Sequence, residues 1–441
     1  MIKSLGLWHT IKAKASILQP IIAILALGGG VLVGAASDRL SEIVSSSASA
    51  LIDGYSYGAP AIIFVVLAPV LARIFSTRQK GRFGLYVVGW LAVIKLLAML
   101  WAIIFTVAIF GLPIFSEHSV SLWGALVQTI ESVLLTLTVS HYFWAIYASI
   151  AIGLVALKVK ALANTLEKGV SSLEHAGQYF QFLMPAFMFT VGVYVQALPQ
   201  NLGKQIGLEG TLHSFHTFTI LGLHLDPNTP TGMVMTYTMG ALAVAVGAFG
   251  WHFAILALAK YRETRFSFGG YFKHYWVKAY PLLWSTSSES LATPLNLYIL
   301  KKHAAWVRPT VRRLVAGTGS VLSTDGTLIC VFVLLGLVGR ILGIHFSLFE
   351  LLLAVPVAFL ISYGIPGIPG ELLLFAGPLA MILPVPPELA AGFLALYLGL
   401  QVGLPDSFRT GANTTNNYVY CILLSRVYEE RFQGEEPRGE E

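Results

Sequence analysis

Residues 404–417 read LPDSFRTGANTTNN and lie inside an apolar run from about residue 389 to residue 424. A run of that length is expected to cross a bilayer as a helix. On such a helix Asp406, Arg409, Thr410, Asn413 and Asn417 stand at i, i+3, i+4, i+7 and i+11, on one face. An acid, a guanidinium, a hydroxyl and two amides are costly to desolvate. They are tolerated at membrane depth only when they face protein, water or a polar ligand. Arg409 offers a planar fork for a carboxylate, and Asp406 an acceptor for an ammonium. The stripe therefore reads as a site for a small zwitterion or dianion. The other reading is a structural seam between helices, with Asp406 and Arg409 pairing across i and i+3.

The composition sets the class. Of 441 residues 56% are hydrophobic and 11% charged, against about 25% charged in a soluble domain. This predicts an integral membrane protein of several helices rather than an anchored soluble enzyme. The net charge of +6 fits basic cytoplasmic loops better than a nucleic-acid partner. Cys330 and Cys421 both fall in apolar runs and imply no disulfide framework. No cleavage-site pattern follows the first apolar run, so it reads as a retained helix. The polar end, residues 433–441, reads as a cytoplasmic tail.

Apolar runs occur near residues 17–36, 55–75, 84–112, 121–163, 176–198 and 230–259. Basic clusters (Lys3, Lys12 and Lys14; Arg73 to Arg82; Lys158 to Lys168; Lys260 to Lys278) alternate with mixed or acidic loops. The positive-inside rule then puts the N-terminus and residues 260–280 in the cytoplasm. The C-terminal third breaks this pattern. Residues 281–300 carry TSSES and are followed at once by Lys301, Lys302, Arg308, Arg312 and Arg313, so both flanks read as cytoplasmic and the segment as a re-entrant hairpin. Residues 314–342 are interrupted by Ser323, Thr324, Asp325 and Gly326. Residues 347–384 hold two arms too short to span alone around GIPGIPG, residues 364–370, which suggests a second hairpin. Broken helices at membrane depth need surrounding protein or a wet cavity, and they point to substrate and ion sites in a transporter.

Four of these features resemble, in order, the dicarboxylate/amino acid:cation symporter family, the glutamate transporter homologues. TSSES before Pro294 is similar to the serine-rich tip of the family's first hairpin, and STDGT (residues 323–327) to its NMDGT break. GIPGIPG is similar to its GVPGAG tip, and DSFRTGANTTNN to the D-x-x-R-T-x-x-N-x-x-G-D signature of its last helix. The resemblance implies an all-α polytopic membrane protein of eight transmembrane helices plus two re-entrant hairpins, a homotrimer working as an elevator, in the cell membrane with both termini cytoplasmic. Scaffold helices one and two would occupy residues 1–75, transport-domain helix three 83–112, scaffold helices four and five 119–198, and helix six 230–260. Hairpin one would occupy 270–303, broken helix seven 311–343, hairpin two 347–384 and helix eight 386–432.

By position the resemblance makes Asp406 the partner of a substrate amino group, Arg409 that of a side-chain carboxylate, and Thr410 and Asn413 substrate contacts. Ser287, Ser288 and Ser290 at the first tip, Thr327, and Gly364, Ile365, Pro366 and Gly367 at the second complete the substrate set. Keeping both Asp406 and Arg409 favours aspartate or glutamate over a succinate-type acid, because an ammonium needs the acid and a second carboxylate needs the fork. No enzyme, cofactor or resident metal is expected beyond Na+ or H+ as coupling ion.

The sequence departs from the family at its cation positions. An asparagine ligand is replaced by Ser323, and the last aspartate of the signature by Asn417, which drops a full charge. Trp90, Val93 and Ile94 fall where the third helix would offer hydroxyl ligands. Beside them Lys95 lies roughly 18 Å into its helix, too deep to snorkel easily. Its ammonium would replace a sodium ion beside Asp325. The alternatives are a neutral lysine in proton coupling or one facing a lateral crevice. Glu289 and Glu371 are either proton carriers or helix-end and gate residues. His213, His216 and His224 are solvated loop histidines or, with less support, a zinc site. Among functions, a secondary transporter for acidic amino acids or dicarboxylates leads. Proton symport, uncoupled exchange and a transporter-derived sensor or anion channel stand as alternatives, and a serine hydrolase would lack a base near Ser287 or Ser288.

Overall fold

The computed structural model describes residues 82–115, 141–156, 215–280, 289–363, 372–401 and 403–432 continuously, with scattered positions between 22 and 68 and between 138 and 196. It is mainly helical. The helices are α1 (Arg82–Phe110), α2 (His141–Ala156), α3 (Pro230–Arg262), α4 (Glu289–His303), α5 (Pro309–Leu322), α6 (Asp325–Leu342), α7 (Leu348–Ile361), α8 (Leu373–Ile382), α9 (Ala390–Gln401) and α10 (Leu404–Arg431). Among the described helices α1, α3 and α6 are long and apolar enough to cross a bilayer.

The architecture is concentric around α6. Every one of its residues except Arg340 is buried, packed by α1, α3, α9 and α10. Arg340 reaches back to accept the chain end of α1, donating from Nε to the Phe110 carbonyl at 3.0 Å and from Nη2 to the Gly111 carbonyl at 2.9 Å. Those carbonyls would otherwise be orphans at a helix C-terminus. α10 is far more polar, yet it is buried from Pro405 to Ser425 apart from Phe408. It lies between α3, α5, α6 and α4, so its polar side chains meet protein rather than lipid.

The interrupted helix falls where the sequence places it: α5 ends at Leu322, and α6 restarts at Asp325 after Ser323 and Thr324. α7 and α8 pack against each other as two short arms. The Ser347–Glu350 capping box starts the first arm. The tip between the arms, residues 364–371, lies outside the described residues, as do 281–288 at the tip before α4. α4 is tied to α10 by Tyr275, whose hydroxyl donates to Asn296 Oδ1 at 2.7 Å, and by Asn296 Nδ2, which donates to the Thr414 carbonyl at 3.3 Å. The Tyr275 ring stacks on Tyr418 at 3.9 Å between centroids.

Two features depart from the sequence reading. The last apolar run is not one helix: it divides between α9 and α10 at Gly403, with φ 84°. Glycine supplies that left-handed turn without strain, Pro405 then suits the first turn of the new helix, and the exposed Leu404 amide donates to the Tyr237 hydroxyl at 2.9 Å. The polar insert before α3 also contains a small antiparallel pair, Phe218–Ile220 with Leu223–Leu225, so the chain is not purely helical. Its Leu221-Gly222 turn uses two positive φ angles, the geometry of a two-residue hairpin.

The ends of α3 and α10 are joined outside the apolar region. Arg265 Nη2 lies 2.7 Å from Glu263 Oε2 and 2.8 Å from Glu429 Oε2, and its guanidinium sits 4.3 Å above the Trp306 ring. Hydrogen bonds from Arg265 hold the Glu263 carboxyl below its ordinary value, opposed in part by burial. A depressed carboxylate contributes stability above its unfolded pKa and loses it as the pH falls through the folded one. Glu263→Gln is therefore expected to lower the unfolding free energy at neutral pH by an amount on the order of 1 kcal/mol, screened because Arg265 is 39% exposed, and to lower the thermal midpoint with it. The difference from the native protein should start to shrink as the pH drops below the ordinary carboxylate value of 4.5 and vanish only below the lower folded value.

Candidate functional site

The candidate site forms where the start of α6, the start of α4 and the first half of α10 meet. The first amides of α6 have no intrahelical partner. Asn413 on α10 supplies one: its Oδ1 accepts from Gly326 N at 2.6 Å and from Thr327 N at 3.2 Å. Its Nδ2 donates to Thr327 Oγ1 at 2.8 Å and to Glu289 Oε1 at 2.5 Å. One buried amide thus links three helices. The approach is close enough that a Cβ on Gly326 would collide with the Arg409 carbonyl and with Ala412, so only glycine lets the chain restart there.

One turn earlier on α10, Arg409 is fully buried. It pairs with Asp406 through Nε, at 2.7 Å from Oδ1, and through Nη2. Its Nη1 donates to Thr327 Oγ1 at 3.0 Å. The i, i+3 pairing that the stripe permits is therefore made. Thr410 Oγ1 donates to the Asp406 carbonyl at 2.9 Å within the helix. Asp406, Arg409, Asn413 and Thr327 form one bonded cluster, and Glu289 joins it from α4.

A second cluster lies behind the first. Asp325 Oδ2 accepts from Trp251 Nε1 at 3.0 Å, from Asn416 Nδ2 at 3.3 Å and from the Tyr420 hydroxyl. Its buried Oδ1 makes no hydrogen bond among the described residues. Lys95, fully buried, donates to the Ser362 carbonyl at 3.2 Å and to Ser362 Oγ at 3.0 Å, and lies 3.9 Å from the Tyr363 ring centroid. Its ammonium thus bonds Ser362 rather than Asp325, whose donors are Trp251, Asn416 and Tyr420, so the direct pairing expected from the sequence is not made. The two substituted positions both serve as donors. Ser323 Oγ donates to the Asn413 carbonyl at 3.3 Å, and Asn417 Nδ2 donates to the Ala316 carbonyl at 3.1 Å. Cation ligands are oxygen acceptors; Asn417 Oδ1 is buried and makes no hydrogen bond among the described residues, so an oxygen remains there without the full negative charge of a carboxylate.

A model of the sodium:dicarboxylate symporter family matches residues 20–427. The chain belongs to this family. It is therefore a multi-pass membrane protein, and its family is one of symporters rather than enzymes. It is 26% identical over 291 residues to a C4-dicarboxylate transport protein of Agrobacterium fabrum and 27% identical over 291 residues to one of Rhizobium leguminosarum. Each match covers 64% of this chain and 55% of the relative, so the chain spans about half the length of the curated relatives it matches.

Of the sequence-derived site residues, Asp406, Arg409, Thr410, Asn413 and Thr327 come together, while Asp325, Lys95, Ser323 and Asn417 surround them as described. Ser287, Ser288, Gly364, Ile365, Pro366 and Gly367 lie outside the described residues, as do Glu371 and His213; Ser290 falls on α4. Among the described residues no group of three histidine, cysteine or acidic side chains converges as for a metal. Sequence reading did not single out Trp251, Asn416 and Tyr420 around Asp325, nor the buried His252. The His252 ring nitrogens lie 2.7 Å from Asn416 Oδ1 and 2.9 Å from the Tyr271 hydroxyl. The available signal was a Trp-His pair inside an otherwise apolar helix.

Asn413→Ala leaves the Gly326 and Thr327 amides without their acceptor, at about 1–3 kcal/mol for a buried unmade hydrogen bond. Thermal unfolding in detergent should show a clear loss of stability for this variant. Thr410→Ala, which removes only a bond within α10, should stay near the native midpoint.

Proposed function

We propose that this family member is a secondary active transporter of elevator type, working as a homotrimer, that carries small acidic solutes: aspartate or glutamate first, related dicarboxylates second. The observation that carries the reading is the buried Asp406–Arg409 pair at the start of a polar helix, beside the restart of α6. A zwitterionic acid can exchange partners with that pair. Its side-chain carboxylate takes the guanidinium while its ammonium takes Asp406, so both members of the pair keep an opposite charge and only the α-carboxylate must be met by other groups of the site. A simple dianion breaks the pair and leaves Asp406 facing added negative charge.

The names of the curated relatives favour the second reading, transport of four-carbon dicarboxylates. In that case Asp406 stays on Arg409, or is neutralised when the solute enters. Sodium coupling is reduced or lost in either reading. Ser323 and Asn417 supply no negative charge at two cation positions, and in this reading the buried Lys95 ammonium, bonded to Ser362, takes the place of an ion.

Uptake of labelled aspartate and labelled succinate into proteoliposomes, across a sodium series, tests this. Aspartate should enter with little dependence on sodium. Asp406→Asn should weaken aspartate by the cost of breaking a buried charge pair, about 3–5 kcal/mol, and Arg409→Ala should abolish uptake of both acids. Succinate uptake without aspartate uptake would select the dicarboxylate reading. Strong sodium dependence in the native protein would overturn the account of the cation positions, and failure to move either acid would overturn transport itself.

A further inference from the structure

Two polar side chains on α9 have hydrogen-bonding atoms that go unmet. The helix reads AAGFLALYLGLQ and is apolar except for Tyr397 and the terminal Gln401. Both are fully buried. The Tyr397 hydroxyl and both Gln401 amide atoms, Nε2 and Oε1, make no hydrogen bond among the described residues. Buried polar groups are as a rule hydrogen-bonded, because the cost of removing them from water is otherwise not offset. A leucine would fill the place of Gln401 on an apolar helix without that cost, so the amide needs another reason to be there.

Phe393, Tyr397 and Gln401 stand at i, i+4 and i+8, on one face of α9. Gly399, two residues from both Tyr397 and Gln401, lies on the opposite face, where a Cβ would meet the Tyr194 ring at 2.7 Å. The Phe393 face is turned to α6. Its ring meets Phe346 edge-on at 6.3 Å between centroids, and Phe346 lies against Gly339 near the end of α6. Tyr397 stacks on Phe393 at 6.1 Å. From Phe393 to Gln401 the stripe runs on for about 12 Å at 1.5 Å per residue. α9 packs along α6 and touches α10. The chain then turns at Gly403 into the part of α10 that carries Asp406 and Arg409. Arg409 is near enough to interact electrostatically with the Tyr397 hydroxyl, and it is bonded to Thr327 at the start of α6. The stripe thus runs towards the Asp406–Arg409 pair from an element that supplies none of the site groups described above.

We infer that Tyr397 and Gln401 form a further wall of the solute site and bind the carboxylate that Arg409 receives. A carboxylate has two oxygens and about four lone-pair sites. The guanidinium fork fills two of them. The Tyr397 hydroxyl and Gln401 Nε2 are donors for the other two, and hydrogen bonds to an ionised acceptor are the stronger kind. Gln401 Oε1 stays an acceptor, open to the ammonium of an amino acid, which succinate lacks. The two side chains therefore select a solute with a carboxylate at this end, in the aspartate and the dicarboxylate readings alike. This inference rests on the transport reading above and adds recognition groups to it.

The test measures binding of aspartate and of succinate to the whole chain in detergent by calorimetry, together with the thermal midpoint of each solute-free variant. Tyr397→Phe and Gln401→Leu nearly keep the volume and remove the unmet polar atoms. Affinity for whichever acid the native protein binds should fall about tenfold to a hundredfold in each variant, the effect of one lost hydrogen bond to a charged group. The solute-free midpoints should stay at the native value or rise, because an unmet buried polar group has been removed. Native affinity in either variant overturns the inference. So does an affinity loss matched by a lower solute-free midpoint, which places the two groups in a structural network with buried water. If Gln401→Leu does not fold, Tyr397→Phe decides by the same two readings. Native protein that binds neither acid overturns the transport reading and this inference with it, whereas native binding that the variants leave unchanged overturns this inference alone.

Discussion

The side-chain amide of Asn413 holds this part of the molecule together. A helix that stops and restarts in the middle of an apolar interior exposes amides that neither lipid nor neighbouring aliphatic side chains can satisfy. Here α6 restarts against α10, and Asn413 accepts two of those amides while its own hydrogens reach Thr327 and Glu289. The break, the polar helix and α4 therefore stand or fall together. Disturbing one of them leaves buried polar groups unsatisfied in the others, which is costlier than losing a surface contact.

Close backbone approach makes that contact geometrically possible. Gly326 lets α6 touch the Arg409 carbonyl, and Gly319 lets α5 lie where a methyl group would strike the Asn417 amide. Around this contact α10 carries an unusually polar surface without exposing it. Asn413, Asn416 and Asn417 find partners on α3, α4, α5 and α6, while Thr414 Oγ1, Asn417 Oδ1 and Ser425 Oγ make no hydrogen bond among the described residues. The apolar face of the assembly is left to helices such as α1, where Leu85, Val93, Leu97 and Ile104 remain exposed.

The same packing sorts charges into pairs. Arg409 lies on Asp406, and Arg265 on Glu263 and Glu429, while Lys95 is held by Ser362 at the end of α7. The lysine thereby connects α1 to the end of α7. In a medium that screens poorly, each additional charge must find an opposite or a proton. That constraint, rather than any single hydrogen bond, is the physical basis for expecting solute binding here to be linked to the movement of a second charge.

Much was legible in the residues themselves. The polar stripe on an apolar run, the STDGT interruption and the two short arms around GIPGIPG predict a broken-helix membrane protein, because periodicity and hydropathy are local properties. The family match over residues 20–427 agrees with that reading. The break at Gly403 was hidden, since one glycine in an apolar run does not announce a left-handed turn until Tyr237 is seen to cap it. The donors on Asp325 come from α3 and from the far half of α10, and the partner of Lys95 comes from a position 267 residues away. By itself, the sequence determined which side chains are too polar for the bilayer and that the chain is interrupted at STDGT. Which polar group satisfies which was decided only by tertiary structure, because such pairings depend on distances between helices that no local pattern encodes.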